Sequence, residues 1–192
     1  RFLKRAWAEI DLDALEHNYN EIKKLAKGKD ILAVVKANAY GHDDKAVCLK
    51  LQELGVKYYG VSNLWEGEKL RCHGITGTIL TFGYTDEDYF DELLEYGITQ
   101  TAGSVQYAKQ LSDYAVSKGV KLPVHIKVNT GMTRVGIDSQ QEMLDILAMP
   151  GLDCKAAYTH FAAADSLDPS DVEYTDRQQE KLMKIAKDKG LL

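Results

Sequence analysis

The sequence predicts a parallel α/β chain of the (β/α)8-barrel class, incomplete, with about six β/α units behind a lead-in strand. Three observations predict it. Short β-type runs alternate with helix-type segments along the 192 residues, joined by short connections. The first strand-like run, residues 31–35, is continuously apolar, as in parallel sheets covered on both faces. The turn after it carries Lys36 and Asn38, where an open dinucleotide-binding sheet would carry a glycine-rich loop. That absence favours a closed barrel of the TIM type over a doubly wound sheet.

The elements follow in order. Residues 7–12 (WAEIDL) alternate and read as the lead-in strand. Asp13 is placed to cap a helix over 14–27, with Leu15, Tyr19, Ile22 and Ala26 near one face and Gly28 ending it. A helix over 44–54 follows the first strand. Then come a strand at 58–62, a helix at 66–72, a third strand at 78–82 and a helix at 86–96. A short fourth strand spans 98–102, and an amphipathic helix runs over 105–118 to Gly119. The fifth strand is 123–128, with a helix at 140–148 stopped by Met149-Pro150-Gly151. The sixth strand is 154–160, and a last helix covers 174–189. A barrel needs eight strands, so residues 13–192 read as part of one.

Charge and cysteines narrow the function. The chain has 24 basic and 29 acidic side chains, net −5, without a basic run, which argues against nucleic acid as the main partner. Cys48, Cys72 and Cys154 are scattered, odd in number and without metal-ligand spacing. They read as reduced thiols of a cytoplasmic protein. No run is long and apolar enough to cross a bilayer. The start at Arg1, without Met or an apolar signal core, reads as a processed end and leaves room for an upstream segment.

Three strand ends carry candidate chemistry. Lys36 closes an apolar strand, where burying an ammonium is costly. Its alternative is a packed stem with the head in solvent. C-terminal strand ends are where barrels keep their catalytic groups, and a desolvated lysine amine is a usable nucleophile or base. Asn38, Tyr40 and His42 share its loop, and Gly41 lets the backbone turn. In the fifth strand Val124, Ile126 and Val128 alternate with His125, Lys127 and Asn129. If the apolar face packs on helices, Lys127 points inward and needs an anion or chemical neutralisation. Arg134 lies in the following loop between Gly131 and Gly136, and its planar fork suits a carboxylate. Its alternative is an ordinary surface arginine. At the sixth strand end Tyr158 and His160 point the same way, His160 being either a rim residue or a hydrogen-bonded core histidine. His17 and His73 fall in helical or turn regions and read as solvated. No carboxylate pair or metal-ligand set competes with these groups.

The strings 7–12 (WAEIDL), 35–42 (VKANAYGH), 130–136 (TGMTRVG) and 159–162 (THFA) closely resemble alanine racemases, in the same order and at similar spacing. The resemblance covers essentially the whole chain but about half of a family member. It implies that Lys36 holds pyridoxal 5'-phosphate as a Schiff base and that Tyr40 binds its phosphate. Arg134 would hold the substrate carboxylate and lie near the cofactor's phenolic oxygen, and His160 would lie against the cofactor ring. Lys127 would be carbamylated and would orient Arg134. It further implies a homodimer, a tyrosine of the partner's C-terminal domain as second base, and D-alanine supply to peptidoglycan. Residues 1–12 would pair with a C-terminal β domain lying beyond Leu192. As an N-terminal fragment the chain alone would be inactive.

Two positions depart from the family pattern: Asp43 stands where glycine is usual, and Asn129 where aspartate is usual. Two related readings compete: the cytoplasmic serine racemase domain of a vancomycin-resistance membrane protein, and a non-catalytic pyridoxal-phosphate-binding homeostasis protein. A third is a barrel in which Lys36 is structural.

Overall fold

Strand and helix alternate through the computed structural model, which describes residues 6–186, 190 and 191. The chain divides into two units, residues 1–80 and 81–192, and β3 (Thr78–Thr81) spans the boundary. In each unit the strand order is the chain order.

The first unit holds α1 (Leu12–Leu25), β1 (Leu32–Val34), a short segment α2 (Lys36–Gly41), α3 (Asp44–Glu53), β2 (Tyr58–Val61) and α4 (Leu64–Cys72). β1 pairs with β2 in parallel, Leu32 opposite Tyr58 and Val34 opposite Gly60. Cys48, Tyr59, Val61, Leu64, Leu70 and Ile75 are buried, and each large apolar side chain removed from water contributes roughly 1.5–3 kcal/mol.

The second unit holds a 3-10 turn (Glu87–Tyr89) leading into α5 (Phe90–Glu95), then β4 (Ile98–Ala102), α6 (Val105–Ser117), β5 (Leu122–Lys127), α7 (Gln140–Leu147), β6 (Leu152–Tyr158) and α8 (Pro169–Ala186). β4, β5 and β6 pair in parallel. Helix starts follow the sequence chemistry: Ser104 caps α6, and Ser139 with Glu142 forms a capping box on α7. Leu111, Leu122, Ile126, Ile137, Met143 and Ile146 are essentially inaccessible.

Several expectations are corrected. Residues 6–11 form no strand: alternation alone makes none without a ladder partner, and Trp7 is 67% exposed. Asp11, not Asp13, caps α1, its carboxylate accepting from the amides of Asp13 and Ala14. β1 was expected to be covered on both faces, yet Val34 is 41% exposed. The helix at 86–96 opens as a 3-10 turn. α8 starts at Pro169, five residues before the expected Tyr174, because proline fits a first helical turn whose amide has no partner. Its expected end at 189 lies outside the described residues. β6 stops at Tyr158, so His160 lies beyond the strand. His73 is half-buried, not solvated, with its ring 3.7 Å from the Asp44 carboxylate. No helix among the described residues is long and apolar enough to cross a membrane, and Cys48, Cys72 and Cys154 are free thiols.

Candidate active site

Lys36 follows β1 by two residues and is half-buried. After it Ala37, Asn38, Ala39 and Tyr40 all adopt left-handed conformations without a glycine among them, with φ between 51° and 57°. Each such non-glycine residue costs roughly 1–2 kcal/mol, so the surroundings must impose the turn. They do so by hydrogen bonds. One Glu66 oxygen accepts from the Ala37 amide at 2.8 Å and the other from the Ser62 amide at 2.7 Å. The Asn38 carbonyl accepts from the amide of Asp44 at 3.1 Å. Lys69 bridges this group, 2.8 Å from the buried Asp44 carboxylate and 3.5 Å from Asn38. Asp43, at φ 68°, sits in glycine-type backbone and still caps α3 through its own carboxylate. This accounts for one departure from the family pattern: the side chain earns its place as a cap.

Tyr40 leaves this turn 60% exposed. His42 folds back, its Nδ1 3.0 Å from the Ala39 carbonyl. A groove of about 530 Å³ runs beside the turn, lined by Ile10, Ala14, Val34, Ala39, Tyr40 and His42 among others.

In the second unit the chemistry is built differently. Lys127, 7% exposed, ends β5 opposite Tyr158 of β6. Its Nζ donates to the Val128 carbonyl at 3.3 Å and stands 5.2 Å from the Tyr158 ring centre. Burial, then the nearby Arg134 charge, lowers its pKa to about 8. The Tyr158 phenol, pushed up to about 12 by burial, is hydrogen-bonded to the Thr101 hydroxyl at 2.9 Å. Among the described residues no carboxylate pairs with Lys36, Lys127 or Arg134.

The loop bearing Arg134 closes on itself. Asn129 donates its amide to Ile137 O at 2.8 Å and Ile137 donates back to Lys127 O at 2.9 Å. Within this neck the Asn129 side-chain carbonyl accepts from Gly131 and Thr133, while its NH2 donates to Asp138 at 2.9 Å. Aspartate there could accept the first two bonds but would face Asp138 with like charge, which explains the second departure. Gly136, at φ 137°, lies so close to the neck that a Cβ would sit 2.6 Å from Asn129 N. Arg134 itself is exposed, and Val135 and Gly136 border a groove of about 430 Å³ with Phe82, Tyr84, Thr101 and Tyr107. His160 is exposed beyond β6.

Lys36 and Tyr40 thus share one turn in the first unit, and in the second Lys127 and Tyr158 face each other within reach of the Arg134 charge. Sequence reasoning missed Glu66, Asn129 as loop organiser, and Gln178 of α8, which is 1% exposed. A glutamine on the buried stripe of an amphipathic helix was the available signal for the last.

Lys36 just past β1 and Lys127 at the end of β5 put amines at the C-terminal ends of parallel strands, where proteins of the α/β-barrel class carry their functional groups. The family profile described as "Alanine racemase, N-terminal domain" matches residues 10–190. The chain belongs to the alanine racemase family. It is 39% identical over 189 residues to an alanine racemase of Clostridium perfringens, covering 96% of this chain and 48% of that protein. The structure of alanine racemase from Clostridium difficile 630 superposes with a TM-score of 0.90 at 34% identity, over 100% of this chain and 52% of that one. A histidine racemase from Leuconostoc mesenteroides gives a TM-score of 0.85 at 28% identity, over 93% and 48%. The chain therefore spans about half the length of the relatives it matches.

Proposed function

We propose that this chain is the N-terminal, cofactor-anchoring part of a racemase that interconverts L- and D-alanine with pyridoxal 5'-phosphate. The observation that carries the reading is the Lys36–His42 turn directly behind β1 in a member of this family. The serine alternative finds no support in the names of the relatives above.

The side chains suit the cofactor. Lys36, Lys127 and Arg134 are cationic groups that no carboxylate pairs with among the described residues, on a chain of net charge −5. An anionic phosphate with a reactive aldehyde calls for such a donor set. Lys36 would hold it through its amine, Tyr40 would donate to its phosphate, and His160 would border its ring. When bound, the cofactor supplies an electron sink that makes an amino-acid α-proton removable.

The chain's own residues then do three things. Arg134 orients substrate by its carboxylate. The Lys36 amine takes and returns a proton at Cα on one face. Lys127, with its pKa near 8, keeps a sizeable neutral fraction at neutral pH. Its nitrogen can add to CO2, forming an N–C bond and releasing one proton, and the resulting carbamate would give Arg134 its anion. The base for the opposite face would be a tyrosine from the C-terminal domain of a partner subunit. The C-terminal β domain of the same chain would supply the strand partner that residues 6–11 lack. The product, D-alanine, would serve peptidoglycan synthesis.

Borohydride reduction of the full-length protein with pyridoxal phosphate, followed by peptide mapping, tests the anchor. The expected label is on Lys36, with L-to-D-alanine turnover by the unreduced protein and none by residues 1–192 alone. Labelling elsewhere, or turnover by the short chain, overturns the respective claim.

A further inference from the structure

We propose that Gln178 is a positioning residue that holds the Arg134 loop and the His160 segment in a fixed relation. The inference deepens the racemase reading and rests on it for the roles of those two residues. Gln178 is 1% exposed, and its side-chain oxygen and nitrogen both bond to those segments. Its carbonyl accepts from the Ala162 amide at 3.0 Å. Its NH2 donates to the Thr130 hydroxyl at 3.2 Å and to the His160 carbonyl at 3.4 Å. One turn earlier on α8, the Tyr174 hydroxyl donates to the Gly131 carbonyl at 3.0 Å.

The direction of these bonds is forced. The Thr159 hydroxyl donates to the Val128 carbonyl at 2.8 Å, so its one proton is committed. The Thr130 hydroxyl, 2.8 Å from Thr159, must then donate to it. Thr130 is left able only to accept from Gln178. A one-way relay runs from the Gln178 amide through Thr130 and Thr159 to the Val128 carbonyl, just past the end of β5 and next to Asn129. The position requires a donor toward Thr130 and His160 and an acceptor toward Ala162. A primary amide meets both demands, and a carboxylate meets only the second.

This makes the isosteric change the harsher one. In the full-length protein, Gln178→Met should lower kcat/KM for alanine about tenfold at every pH, as loss of buried hydrogen bonds does. Gln178→Glu should lower it about a hundredfold at pH 8, where the carboxylate faces the His160 carbonyl and can hold Thr130 only by pulling its proton away from Thr159. That deficit should shrink as pH falls and the carboxyl gains a proton to donate. A space-filling role predicts the opposite order and no pH dependence, and either result overturns the inference.

Hydrogen exchange of peptides covering 129–136 and 159–163 gives a readout without activity. Gln178→Met should speed both by about tenfold; acceleration of one alone, or of neither, also overturns it. If Gln178→Met does not fold, Thr130→Val cuts the relay at the next hydroxyl and must deprotect 159–163. Unchanged protection there sinks the proposal. An inactive wild type would sink the racemase reading instead, while the exchange result would still decide the positioning role.

Discussion

The Lys36 turn and the Arg134 loop both follow parallel strands, yet they solve the same geometric problem by opposite means. The Lys36 turn forces four consecutive non-glycine residues into left-handed backbone and holds them from outside with Glu66, Asp44 and Lys69. The Arg134 loop puts glycine at two of its three positive-φ positions, Thr133 being the third, and holds itself from within through Asn129. The difference teaches where each region is vulnerable. The first stores strain and depends on its neighbours, whereas the second is relaxed but has no room.

The largest expected effect lies in the second region. Gly136→Ala puts a Cβ 2.6 Å from Asn129 N and 2.8 Å from Val128 C, backbone atoms that cannot swing away. We expect a loss of about 4 kcal/mol in denaturant unfolding, and a loss under 1 kcal/mol would show the neck to be looser than described.

Next is Lys127. Its folded pKa near 8 lies below the unfolded value, near 10.4, so between those values the unfolded chain holds more protons and stability rises with pH. Below pH 8 the burial penalty is fully present; above the unfolded value it is gone. In bicarbonate-free buffer Lys127→Met should therefore stabilise the protein by about 3 kcal/mol at pH 7 and by almost nothing at pH 10.5. Melting curves across that window check the sign.

The smallest effect sharpens the contrast: Ala37→Gly should gain about 1 kcal/mol by relieving the left-handed backbone. A loss would mean that Glu66 and Asn38 leave no strain to relieve.

Much of this was legible in advance. The alternation of strands and helices was readable because each strand is a short apolar run between turn residues, as at 58–62 and 98–102. Lys36, Lys127 and Arg134 stood out because charged groups at strand ends break the apolar pattern. What stayed hidden depended on partners distant in sequence. Residues 7–11 alternate as a strand does, but alternation carries no information about a missing ladder. The left-handed run carried no glycine, since hydrogen bonds from α4 and α3 impose it. Glu66 looked like an ordinary first-turn carboxylate of α4, and its reach to Ala37 spans 29 residues.

The register shift between β5 and β6 has a consequence for chain length. Val124 lies opposite Cys154 and His125 opposite Ala156, so Lys155 is an extra residue that pairs with nothing in β5. Elsewhere in these strands a single deletion would swap the two faces of everything downstream. Deleting Lys155 would leave Tyr158 opposite Lys127, because the kink disappears while both flanking registers survive. Position 155 is therefore where homologous chains can differ by one codon in this strand without losing the aromatic cover over the buried amine.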